Sequence, residues 1–150
     1  AYGENHPHVM LGDLIAAEVF LARGESQDAI TLLDALREKQ ETVLHVKHQY
    51  DGAALALMGR AMMETGDLES GITPLDEAVT LLRESLQEDH WTIVNTQLDL
   101  AHGLMLFGSW SAASEVLGSV EETLARPDHP WLAKYRDRLQ ELLDMNRIEG

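Results

Sequence analysis

Seven histidines and 26 carboxylates are the residues of this 150-residue sequence that could do chemistry. His6, His8, His45, His48, His90 and His129 are the candidate metal ligands, because neutral imidazole binds zinc, copper and iron. Such a site needs three or four ligands converging on one pocket. The spacing argues against convergence: His6, His48 and His90 recur at intervals of 42, and His129 follows after 39. Side chains at equivalent places in successive units are spread along a chain, so no metal site is expected. The carboxylates could pair for acid and base work, yet no other catalytic part accompanies them. There is no Gly-rich phosphate loop, no Ser-centred nucleophile elbow, no His-Glu-x-x-His sequence and no cysteine. They read as the solvated faces of helices, and neither an enzyme nor a cofactor is expected. Trp91, Trp110 and Trp131 fall early in helical segments and read as packing residues.

The charge balance narrows the choice of partner. Eleven Lys and Arg against 26 Asp and Glu leave a formal charge of -15, which opposes a phosphate backbone or an anionic membrane surface. No nucleic acid and no membrane partner are expected. The excess is uneven, because residues 126 to 150 hold five cations and five acids while residues 1 to 125 hold six cations and 21 acids. No stretch approaches the roughly 20 apolar residues that cross a bilayer.

The elements that carry these residues follow from the repeat. Gly24, Gly66 and Gly108 share the 42-residue interval, and in that register Ala17, Gly59 and Ala101 coincide. So do Phe20, Met62 and Leu104, then Ala29, Gly71 and Ala113, then Leu33, Leu75 and Leu117. Each unit reads as two amphipathic helices separated by a glycine in the left-handed conformation. Ala17, Gly59 and Ala101 mark where the helices of a unit cross, and Ala29, Gly71 and Ala113 face them from the second helix. Asn5, Asp89 and Asp128 are the expected caps of first helices, with Pro7 and Pro130 in the first turn.

The sequence resembles tetratricopeptide repeats, and more narrowly the 42-residue form of kinesin light chains. The family's G-x-x-H-P helix start stands as Gly3-Glu4-Asn5-His6-Pro7, decays at Lys47-His48-Gln49 and Asp89-His90-Trp91, and returns as Asp128-His129-Pro130. The resemblance covers residues 6 to 125. It implies an all-α fold, a right-handed solenoid of three helix-turn-helix repeats (about 6–47, 48–89 and 90–128) and a capping helix over 129–146. Helices are expected near 6–23, 26–44, 48–65, 68–86, 90–107, 110–124 and 129–146. Pro74 is expected to kink the fourth or to delay its start to a Thr73 cap. Residues 1 to 5 read as the tail of an earlier unit, which makes the chain a fragment of a larger protein.

The resemblance also implies a protein-binding role and a cytoplasmic setting, with first helices lining a concave face. On that face register places Leu14, Glu18 and Leu21, then Ala56, Arg60 and Met63, then Leu98, His102 and Met105. Leu11, Ile15, Ala53, Leu57, Glu64, Asn95 and Asp99 flank them. Glu18, Arg60 and His102 share a column and are expected to form a polar ladder. Peptide-binding members often carry Asn where this sequence has Ile15, Leu57 and Asp99, so the face fits a partner helix, a neighbouring domain or a second copy better than an extended peptide. Two other roles stay open: a regulatory or dimerisation domain of a larger bacterial signalling enzyme such as a Ser/Thr kinase, and a peptide-sensing regulator.

Overall fold

The computed structural model describes residues 7–43, 49–126 and 132–150, and among them there are seven α-helices and no strand. They are α1 (Pro7–Ala22), α2 (Ser26–Val43), α3 (Gln49–Glu64), α4 (Leu68–Ser85), α5 (Trp91–Leu106), α6 (Trp110–Leu124) and α7 (Ala133–Glu149). The chain divides into two compact units, Ala1–Ser85 with α1 to α4 and Leu86–Gly150 with α5 to α7.

One device makes all three tight turns between paired helices. Gly24, Gly66 and Gly108 have φ of +76°, +90° and +86°, values that cost a residue with a Cβ but not glycine. After α1 the Glu25 amide donates to the Phe20 carbonyl (2.8 Å) and the Gly24 amide to that of Leu21 (3.0 Å). The same two bonds recur as Asp67 to Met62 and Gly66 to Met63, and as Ser109 to Leu104 and Gly108 to Met105. These are Schellman closures, which satisfy helix-end carbonyls while reversing the chain.

In the first unit, Met10, Leu14, Ala17 and Leu21 of α1 pack with Ala29, Leu33 and Leu36 of α2 and with Ala54, Leu57, Met58 and Ala61 of α3. Helices α3 and α4 approach most closely at the expected pair of glycines. A Cβ on Gly59 would lie 2.6 Å from the Gly71 carbonyl oxygen, and one on Gly71 2.7 Å from that of Gly59. Gly52, one helical stretch earlier, is closed off in the same way by Leu82, whose Cγ would lie 2.7 Å from an added Cβ.

Two expectations of the sequence need correction. Helix α4 is continuous from Leu68 to Ser85 with Pro74 inside it, so Thr73 is not its cap. The start is fixed upstream by the turn at Gly66 and by Asp67, whose carboxylate accepts from the Ser70 amide (3.2 Å). Pro74 then costs one ladder bond, to the carbonyl of Ser70, an exposed residue that water can serve. The cap of α5 is His90 rather than Asp89: its Nδ1 accepts from the Thr92 amide (3.2 Å), and the helix begins one residue later. Asn5 and Asp128 lie outside the described residues.

In the second unit, Val94, Leu98, Ala101 and Met105 of α5 meet Ala113, Leu117, Val120 and Leu124 of α6 and Leu132, Tyr135, Leu139 and Leu142. Helix α7 runs three residues further than expected, to Glu149.

Candidate protein-binding surface

The sixteen residues that register places on one face divide by burial, with Leu11 exposed and Ala53 and Ala56 half-buried. Leu14, Leu21, Leu57, Leu98 and Met105 are buried in the cores of their own units. Their apolar surface is largely spent on holding helices together. Ile15, Glu18 and Glu64 are exposed, and Arg60, Met63, Asn95 and His102 are half-buried. Asp99 is a buried carboxylate.

In the first unit the charged members are organised by α3. The Arg60 guanidinium reaches Glu64 one turn on (3.6 Å), and Glu64 also accepts from the Ser26 hydroxyl at the start of α2 (2.7 Å). Arg60 is therefore paired along its own helix rather than across to Glu18, because a neighbour at i+4 is within reach without bending either helix. Met63 lies against Gly71, with its Cγ 2.7 Å from where a Cβ would stand. The surface offered here is a guanidinium, a carboxylate and a thioether within about one turn, backed by the tight α3–α4 contact.

In the second unit the polar members are gathered by a residue from outside the face. Arg138 of α7 forms an ion pair with Asp99 and donates to the Asn95 side-chain oxygen (3.1 Å). A buried carboxylate without such a partner would be strongly unfavourable, so Asp99 explains why α7 carries Arg at this point. His102, one turn further along α5, is held below the ordinary imidazole value by burial and then by the Arg138 guanidinium, with Asp99 opposing. Arg136 donates to the Leu124 carbonyl at the end of α6 (3.1 Å), and Asn146 donates to the Ser114 hydroxyl (2.6 Å). Helix α7 is thus tied to both α5 and α6. The sequence signal that points to Arg138 is the concentration of cations in residues 126 to 150.

Among the described residues no group of three or more His, Cys, Asp or Glu could hold a metal ion. Of the candidate histidines, only His90 has a described side chain, and it caps α5 and stacks on Trp91. No helix among the described residues is long and apolar enough to cross a membrane.

No protein-family model and no curated protein matches the chain. Solved structures do. One is a protein of Podosopora anserina described as a kinesin light chain with nearly identical TPR-like repeats, 24% identical, with a TM-score of 0.71 over 94% of this chain and 74% of that one. A single-substitution variant of the same protein gives 23% identity and a TM-score of 0.70, over 97% of this chain and 76% of that one. At this identity the likeness is one of fold: an all-α, tetratricopeptide-like solenoid.

Proposed function

We propose that the chain is a protein-interaction module whose partner sits on the exposed sides of first helices rather than in a catalytic pocket. The tetratricopeptide-like fold supports a scaffolding role, since such folds hold partners by shape and surface. Arg60 and Met63 carry the reading of the surface. Both stay half-exposed on α3, although Gly59 and Ala61 on either side of Arg60 are fully packed. Arg and Met are enriched where proteins meet, because both offer large, adaptable contact area. The overall charge of -15 favours a basic partner helix, steered electrostatically and held by apolar contact.

Leu57 is unsuitable for testing this reading, because a charge placed there would break the core of the first unit. The informative variants are Arg60→Glu and Met63→Gln, compared with Glu38→Gln and Glu121→Gln on second helices. Partner capture from extract of the source cells should fall at least tenfold in the first pair and hold in the second, with helix content by circular dichroism unchanged in all four. Equal capture by all four variants would remove this surface from consideration.

A further inference from the structure

Asp99 has two cations to choose between. It is a buried carboxylate on α5, and Arg138 of α7 forms its ion pair while also donating to the Asn95 side-chain oxygen (3.1 Å). His102 is half-buried and stands three residues on along the same helix, where side chains at i and i+3 are neighbours. Burial and then the Arg138 guanidinium hold its imidazole below the ordinary value, with Asp99 opposing. One acid, one fixed cation and one cation that comes and goes with a proton thus meet where two helices join.

The corresponding joint of the first unit, α3 on α1, is built without such groups. Two intervals of 42 before Asp99, His102 and Arg138 stand Ile15, Glu18 and Ala54, and Ala54 is fully buried in an apolar cluster. A long cation in that column of α7 has no packing reason, so its reason is Asp99. The other charged side chains on the helices packed against α5 point to water: Lys134, Asp137 and Glu141 of α7, and Glu115, Glu121 and Glu122 of α6, are all exposed.

We propose that the α5–α7 joint is worked by a proton: protonated His102 takes the place of Arg138 as counter-ion of Asp99 and repels the guanidinium, and α7 loosens from α5. While His102 is neutral, Arg138 must stay, because a buried carboxylate without a cation is strongly unfavourable. A protonated imidazole brings the charge to Asp99 from its own helix, and it sets two like charges side by side if Arg138 remains. The clamped state binds the His102 proton less tightly than the loosened one. Clamping is therefore complete above the unperturbed value of about 6.5 and fades as pH falls through the lower value of the clamped state.

Amide hydrogen exchange between about pH 7.5 and 5 tests this, read as protection factors so that the intrinsic pH dependence of exchange drops out. His90 caps α5 through Nδ1 and would lose that bond on protonation, so variants at the joint are needed to isolate His102. Protection from Tyr135 to Leu142 should fall about threefold or more as His102 protonates, while α3 keeps its own. His102→Gln should hold α7 at its high-pH protection throughout the range, and Arg138→Gln should leave α7 poorly protected at both ends of it. An equal loss of α7 protection in His102→Gln and in the parent overturns the inference. In the parent chain alone, so does an α7 that keeps its protection while NMR shows His102 titrating, or a His102 that stays neutral down to about pH 5.

Discussion

At the scale of single residues, the structure separates glycines that hold helices together from glycines that do not. An added methyl on Gly59 has a backbone carbonyl 2.6 Å away and cannot be absorbed by a side-chain rotation. Gly59→Ala should therefore destabilise the protein by about 1 to 3 kcal/mol despite gaining about 1 kcal/mol of helix propensity. Gly118 of α6 has open space where its Cβ would be, and Gly118→Ala should stabilise by about 0.5 to 1 kcal/mol. Urea titration of the two variants gives opposite signs if the α3–α4 contact is as described. His102 provides a second test. Its folded-state affinity for protons is depressed by burial and by Arg138, so the unfolded chain binds the proton more tightly. The associated stability is complete above the unfolded value of about 6.5 and is lost as pH falls through the lower folded value. His102→Gln should flatten that part of the profile of thermal midpoint against pH, and an NMR titration should find the His102 transition moved upward in Arg138→Ala.

At the scale of elements, α4 and α7 show where local rules are overruled. A proline seven residues into a helix reads from sequence as a kink or a late start, and the late start is not found, because the ladder bond it removes is local knowledge, whereas Asp67, Gly66 and the packing of Leu75, Ala78 and Leu82 are not. Restoring the amide in Pro74→Ala should raise stability by about 1 to 3 kcal/mol, read as a shift in the urea midpoint at unchanged slope. Helix α7 is tied down by Arg138 on Asp99 and Asn95. Arg138→Ala leaves Asp99 buried without its partner and should cost about 2 kcal/mol, with amide exchange quickening first in α7. The helix pairs, their glycine turns and the Gly59–Gly71 contact were all legible in the 42-residue columns, because small and left-handed positions leave a residue-type signature. The division of the candidate face into core leucines and exposed Arg60, Met63 and Glu64 was not, because register says which way a side chain points and not what is packed over it. The Asp99–Arg138 pair was hidden for the same reason: its partners are 39 positions apart and on different helices.

At the scale of the whole molecule, charge is the term that no single contact balances. With 26 acids against 11 cations, the folded chain concentrates like charge in a smaller volume than the unfolded one, and added salt relieves that repulsion. Raising sodium chloride from about 20 mM to 500 mM, which shortens the screening length from roughly 20 Å to 4 Å, should raise the thermal midpoint. Over the same change of salt, binding of a basic partner should weaken; calorimetry in the two buffers reads both. The three Schellman turns carry one consequence for how such a chain can change in length. Duplicating one 42-residue unit keeps each left-handed glycine opposite the same carbonyls and each packing face in phase, while inserting one residue inside a helix turns everything beyond it by about 100° and moves Gly59 off Gly71. The protein is thus tolerant of growth in whole units and intolerant of growth by fractions, so viable insertions should cluster at multiples of 42 or in the turns themselves.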